Sequence, residues 1–335
     1  MILINTDESC RKQHEAVRNT AGWYYFTHQL IEVTGPDACK LLDRLYVSNI
    51  AKLAPTRGRY TMLLTEEGIP QDDCIIFCFN EEKYWISNLH APRTLKELEE
   101  HSEGLDVSFK KITKEVDMYS VQGPNACAMV ESLTEKDPSA QKRFQIVENK
   151  IKDLDVLIAK GGYTGEAGYE IYIKPDECKR LEEILTEASP AFGAMKVDEF
   201  DVMAYTLATE AGLYLVTDID EATPFATRMD WMIDWNKEDF IGKEAVTKAK
   251  DAPLDKELIG FTIDKDFVKA HGGPYGAVIA KDGEVLGHCT KFTYGFTVEK
   301  WVGMAIIKAG KVKPGDIIDV DYEQGVVTEL PFYKK

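Results

Sequence analysis

The sequence predicts an α+β protein of three domains, with the second inserted into the first, and three features carry that expectation. A strand–Gly–Pro–helix unit occurs twice, around Leu30–Leu45 and again around Met118–Leu133. The residues between the two copies hold a set of strands and a helix of their own. From Leu258 onward the pattern turns to short strands separated by turn signals, which reads as a separate small barrel or sandwich. The expected boundaries are 1–50 with 112–205 for the first domain, 51–111 with 206–252 for the second, and 253–335 for the C-terminal β domain. A chain of 335 residues is ample for two or three such units.

In order, residues 8–20 carry the spacing of an amphipathic helix, followed by an aromatic run at Trp23–Phe26 and a strand over Leu30–Val33. Pro36 suits the first turn of a helix whose apolar face is Ala38, Leu41, Leu42 and Leu45. The second copy repeats this as Gly123-Pro124-Asn125-Ala126, with Ala126, Met129, Val130 and Leu133 on one face. The likeness suggests a duplication whose halves pack together in one domain; shared helix-start chemistry is the other reading. The inserted segment has strands at Tyr60–Thr65, Cys74–Phe79 and Tyr84–Asn88, a turn at Glu66-Glu67-Gly68, and a helix opened by Pro92.

Gly161–Ile173 reads as a turn leading into an alternating strand. The period of two puts Tyr169, Ile171 and Ile173 on one face, Glu170 and Tyr172 on the other. A carboxylate beside an aromatic on a rigid strand suits a flat heterocycle with adjacent N–H donors, since its two oxygens accept both at once. Glu170 reads equally as a solvated charge on the outside of a hairpin. Two helices follow, Asp176–Glu187 and Val197–Ala211, the second with Phe200, Met203, Ala204, Leu207, Ala208 and Ala211 on one face. Asp218–Glu221 is an acidic loop, Phe240–Ala245 starts a short helix, and Asp282-Gly283 marks a hairpin tip.

Composition narrows the function classes. Hydrophobic residues make up 44% and charged residues 29%, as in ordinary globular chains. No apolar run is long enough to span a bilayer, so no membrane partner is expected. A net charge of −17 argues against nucleic acid, whose phosphates require a basic face. Seven scattered cysteines without metal-type spacing, and six scattered histidines, predict no metal site. Unpaired cysteines and the lack of a secretion-type start predict a cytoplasmic location. No Gly-x-Gly-x-x-Gly follows a strand into a helix, so a dinucleotide site is not expected.

The sharpest polar feature is Gly68-Ile69-Pro70-Gln71-Asp72-Asp73. Adjacent aspartates on an extended segment point to opposite sides, so one of the pair at most faces a given cavity; turn chemistry is the other reading. With this motif the order of stretches along the chain resembles the aminomethyltransferase (T-protein) family of the glycine cleavage system and its relatives that move one-carbon units on tetrahydrofolate. The matching stretches are Val33–Ala38, Tyr60 with Gly68–Asp73, Tyr84–Asn88, Gly162–Ile171, Glu210–Leu213, Asp218–Glu221, Asp239–Ala245 and Pro331–Lys334. They run nearly from end to end.

The resemblance implies a clover-like arrangement of three domains around a channel that holds tetrahydrofolate, with the folate bound chiefly by the first domain. It implies Asp73 as the catalytic carboxylate, Glu170 as the clamp on the pterin edge, and Tyr60, Tyr84 and Asn88 as folate-lining residues. Tyr172 joins them on the strand geometry and on some family members. Where the family has Thr-Leu-Arg-Leu-Glu-Ala-Gly, this chain has Thr206–Gly212 with Ala208 at the arginine, and Tyr214-Leu215-Val216 replaces the usual Leu-Tyr-Gly. These departures, together with an acidic surface that disfavours a lipoyl carrier protein, lead to the expectation of a small methylated substrate and a demethylase or methyltransferase reaction. The alternatives are an authentic aminomethyltransferase and a folate-binding protein without transfer chemistry; the latter's Lys-Gly-Cys-Tyr motif is not matched at Gly161-Gly162-Tyr163. Tyr24, Tyr25, His28, Tyr214 and His271 are candidate proton donors to a leaving group, and Trp231 and Trp235 candidate walls of an aromatic pocket.

Overall fold

Gly35 and Gly123 have the same backbone conformation in the computed structural model, with φ of +126° and +127°. A Cβ at Gly35 would lie 2.4 Å from the Asp106 carbonyl oxygen, and one at Gly123 2.7 Å from that of Thr20, so neither position tolerates a side chain. Each glycine carbonyl then accepts from the residue that opens the next helix, Ala38 at 3.0 Å and Ala126 at 3.1 Å. After each helix a single residue bridges back to a neighbouring strand, Tyr46 to Leu63 and Thr134 to Ile151. The duplication suggested by the sequence therefore extends through strand, turn, helix and return.

The two copies do not share a sheet. Residues 6–26, 28–219, 222–264 and 276–335 are described by the structure. Gln29–Thr34 lies in a five-stranded sheet with Gly58–Leu64, Pro70–Asn80, Lys83–Asn88 and Ser108–Lys111. Asp117–Gln122 is central in a six-stranded sheet with Ala194–Lys196, Ala21–Tyr25, Gly168–Ile173, Leu154–Lys160 and Ile146–Ile151. Thus the expected 1–50 piece divides: residues 29–50 belong with the inserted sheet, and the duplicated units found separate sheets instead of packing within one. An apolar strand carries no mark of which sheet it joins; pairing with Lys83–Asn88 decides it.

Each helix covers its own sheet. Leu41, Leu42 and Leu45 of Ala38–Leu45 are buried against Ile31, Val33 and Ile86, and Met129 and Val130 of Ala126–Leu133 against Tyr119, Val121 and Ile171. Each such side chain stabilises the fold by about 1.5–3 kcal/mol. The opposite faces of the two sheets meet through Leu30, Phe77, Trp85, Met118, Ala159 and Tyr172.

The expected helix over 197–211 is helical from Phe200 to Glu210, with a π turn at Val202–Thr206. One extra residue per turn rotates the preceding stretch by about 100°. Phe200 is accordingly turned out of the core, 64% exposed and edge-on to Tyr205, contrary to the buried face expected for it. The segment beyond, including Val216, Met229 and Phe240, packs on Met62 and Leu64 of the five-stranded sheet.

Lys256–Thr328 closes into a six-stranded barrel filled by Phe261, Phe292, Tyr294 and Trp301. Asp282 and Gly283 have φ of +52° and +80° at a hairpin tip, the signature of a primed turn. Buried Glu210 ties the parts together: it accepts from Thr297 of the barrel at 2.7 Å and from Arg18 of the first helix at 3.2 Å. Among the described residues no helix is long and apolar enough to cross a membrane.

Candidate functional site

Asp72 and Asp73 lie within the strand Pro70–Asn80, where alternation sends them to opposite sides. Asp72 is buried towards the helix Ala91–Glu100, accepting from Asn88 Nδ2 at 2.7 Å, Thr94 Oγ1 at 2.8 Å and the Asp73 amide at 3.0 Å. Asp73 faces the other way. Its Oδ2 accepts from the Tyr60 hydroxyl at 2.7 Å and its Oδ1 from the Val216 amide at 2.9 Å. Burial pushes the Asp73 carboxyl up to about 6, while the bonds from Tyr60 and Val216 pull against that shift. The Tyr60 phenol is driven well above its ordinary value by burial and by the carboxylate beside it.

Glu170 stands on the strand Gly168–Ile173, opposite in face to Tyr169 and Ile171, which fill the core of the six-stranded sheet. Its Oε2 accepts from the Tyr172 hydroxyl at 3.1 Å. Burial raises its carboxyl to about 7, and the Tyr172 bond lowers it only in part. Such a group is charged readily only when donors are brought to it.

One cavity of about 200 Å³ is lined by Asp73 and Glu170 together, far more than the ~10–15 Å³ that a single water needs. Asp72 also reaches its wall, contrary to the expectation that one of the pair at most would. Tyr60 and Asn88, whose Oδ1 is buried without a hydrogen-bond partner, also line the cavity. Tyr84 does not. It faces the helix side of the five-stranded sheet, packed with Leu42 and Ile86 and bonded towards Cys39 and Cys78, while Ser87 and Asn88 at the end of the same strand line the cavity. Tyr172 lies behind the wall, as the donor that orients Glu170, with its ring packed on Phe77 and Trp85.

Of the candidate proton donors, His28 and Tyr214 line the cavity. Tyr24 is buried outside it, Tyr25 is exposed and bonded to Asp117 at 2.8 Å, and His271 lies outside the described residues. Trp231 is exposed with its ring 6.2 Å from Tyr60, and Trp235 stacks on Phe225 away from the wall. Sequence reasoning missed Arg143, Tyr163 and Lys291. Arg143 and Tyr163 line the cavity, Arg143 with its guanidinium over Phe144. Buried Lys291 of the barrel donates to Asp218 Oδ2 at 2.8 Å and lies 3.4 Å from the Tyr163 hydroxyl. Asp218 Oδ2 also accepts from the Leu215 amide at 2.9 Å, which fixes the turn that aims the Val216 amide at Asp73. A lysine on a barrel strand has no sequence signal pointing to a loop 73 residues away; the Asp218 loop motif was the only half of the pair in view.

Among the described residues, Asp7, Cys10 and Glu199 come close enough to share an ion. Asp7 and Cys10 sit at the start of the first helix, and Glu199 just before the helical segment that begins at Phe200. None of them lines the cavity, and burial pushes the Cys10 thiol up to about 12, against the thiolate that a metal requires.

A family model described as the GCVT N-terminal domain matches residues 5–237, and one described as the glycine cleavage T-protein C-terminal barrel domain matches residues 256–334. The chain is 30% identical to an aminomethyltransferase of Bacillus subtilis over 98% of its own length and 91% of that protein. It is 32% identical to one of Streptomyces coelicolor over 97% of its length and 90% of the relative. A crystal structure of the glycine cleavage system aminomethyltransferase T from Bartonella henselae superposes with a TM-score of 0.84 at 24% identity, covering 97% of this chain and 89% of that one, which establishes likeness of fold.

Proposed function

The chain belongs to the glycine cleavage T-protein family, and we propose that its cavity binds tetrahydrofolate and serves a one-carbon transfer in which Asp73 is the catalytic carboxylate. The observation that carries this reading is that Asp73 and Glu170, from two different sheets, line a single cavity. The wall chemistry fits a reduced pterin: the Glu170 and Asp73 carboxylates both accept, and a pterin edge offers several N–H donors.

Glu170 would hold the ring N–H and exocyclic amino group as a bidentate acceptor, with Tyr172 fixing its orientation. Arg143, on the cavity wall, would supply a cation for the acidic tail. Tetrahydrofolate when bound supplies a nucleophilic ring nitrogen that takes up the carbon unit. Asp73 provides a fixed negative charge against the cationic character that develops there, and its carboxyl, poised near 6, is suited to holding and passing one proton. Tyr60 and the Val216 amide keep it in place, and the apolar wall around Met118 and Phe26 excludes water, which strengthens each of these interactions.

For the donor, an aminomethyl group delivered as in the named relatives is the first reading, supported by identity along nearly the whole chain. A small methylated compound is the second. It is favoured by Ala208, which stands in place of the family's arginine, and by the charge of −17, which disfavours an acidic carrier. The seven free cysteines suit a cytoplasmic setting. The deciding experiment supplies tetrahydrofolate with either an aminomethyl-loaded lipoyl carrier or a panel of methyl donors, and reads ammonia and the mass of the folate product. Methylene-tetrahydrofolate with ammonia establishes the first reading and methyl-tetrahydrofolate the second; no folate product from any donor would refute the transfer.

A further inference from the structure

His28 is 5% exposed and lines the cavity, yet the reaction described above does not use it. Its Nδ1 faces the Phe26 carbonyl oxygen at 3.4 Å. A carbonyl only accepts, so Nδ1 carries the proton and Nε2 presents a lone pair. No hydrogen-bond partner reaches that Nε2. Burial lowers the imidazole to about 4, which keeps the ring neutral and the lone pair free at physiological pH. The ring stands edge-on to Tyr172 with centroids 5.6 Å apart, and Tyr172 is the residue bonded to Glu170. A neutral acceptor and the carboxylate clamp therefore share one wall. A buried acceptor without a donor is unfavourable; Nε2 has almost no open surface in the ligand-free protein, so a ligand towards which the ring turns, and which brings a donor, relieves that cost.

We propose that His28 Nε2 reads the reduction state of the pterin by accepting a hydrogen bond from N8–H. The inference rests on the tetrahydrofolate reading of the same cavity. Reduction adds two ring N–H groups, at N5 and N8. N5 takes up the carbon unit and belongs beside Asp73, which leaves N8–H for His28. In fully oxidised folic acid N8 carries a lone pair instead, and two lone pairs facing each other in a buried site repel. A site made to receive an N–H rejects the analogue that lacks it far more strongly than an apolar pocket would.

The test is calorimetric affinity of the full chain for tetrahydrofolate, folic acid and 8-deaza-tetrahydrofolate, using wild type, His28→Phe and His28→Gln. Wild type is expected to favour tetrahydrofolate over both other ligands by about tenfold or more. His28→Phe should reduce that preference about tenfold by weakening tetrahydrofolate alone, and His28→Gln, whose amide oxygen still accepts, should retain most of it. Equal loss for all ligands in His28→Phe, or an unchanged preference, overturns the assignment. Should His28→Phe fail to fold, the wild-type comparison decides alone: 8-deaza-tetrahydrofolate binding as tightly as tetrahydrofolate overturns it. If wild type binds tetrahydrofolate but shows no such preference, only His28 is wrongly assigned. If it binds no folate at all, the function proposed for the cavity falls as well.

Discussion

The Tyr60 hydroxyl lies 2.7 Å from Asp73 Oδ2, and that bond opposes the burial that raises the carboxyl to about 6. If the ionised form is the active one, activity rises with pH through about 6. Tyr60→Phe removes a bond that stabilises the carboxylate, so the acid limb of kcat/KM against pH should move to higher pH. A limb that stays in place in Tyr60→Phe would show that Asp73 does not set it.

The two neighbouring aspartates should fail in different ways. Asp73→Asn keeps the shape of the cavity but removes its charge, so kcat should fall about 100-fold or more while tetrahydrofolate affinity stays within about threefold. Asp72 also reaches the cavity wall, but its oxygens are taken up by Asn88, Thr94 and a backbone amide inside the sheet. Asp72→Ala should therefore lower unfolding free energy by about 1–3 kcal/mol in urea titrations. Normal stability in Asp72→Ala, or normal turnover in Asp73→Asn, would contradict this division of roles.

Much of this was legible from local pattern. Alternation alone set Glu170 opposite Tyr169, because a strand's period of two needs no knowledge of its partners, but it did not keep Asp72 off the cavity that Asp73 lines. The hairpin at Asp282-Gly283 was equally local. What failed depended on pairing or register. Tyr84 lies off the cavity, which opens at the Ser87–Asn88 end of its strand, because motif resemblance named the residue without fixing where along the strand the cavity opens. Phe200 was misplaced by one π turn, which no propensity announces. Residues 29–50 were given to the wrong sheet because either sheet satisfies an apolar strand. Lys291 stayed invisible because its partner comes from another domain.

Lys291 is buried on the barrel and paired with Asp218, which in turn fixes the turn carrying the Val216 amide. Lys291→Met leaves the half-buried Asp218 carboxylate without its cation and should destabilise the protein by about 1–3 kcal/mol. It should also lower kcat, since the Val216 amide no longer holds Asp73. Adding Asp218→Asn should recover part of the stability, and a double-mutant cycle measures the coupling. Strictly additive effects would mean that the pair acts as two independent groups.

Glu170 makes a prediction about stability whose sign differs from that of an ordinary surface carboxylate. Its folded-state carboxyl, near 7, lies above the ordinary 4.5 because burial penalises the charge. The folded protein thus holds a proton that the unfolded chain gives up, and this contribution is fully present below about 4.5 and lost as pH rises through 7. The stability of ligand-free wild type relative to Glu170→Gln should fall between those limits; His28, which titrates in the opposite sense, is common to both and cancels. Tetrahydrofolate reverses the penalty by presenting two donors to the carboxylate, so binding near pH 7 should release protons, visible as a binding enthalpy that varies with the buffer's ionisation enthalpy. In Glu170→Gln the release should vanish and affinity should drop about 10–100-fold, the range for a lost charge-assisted bond. Proton release that persists in that variant would place the titrating group elsewhere in the cavity and remove Glu170 from the pterin clamp.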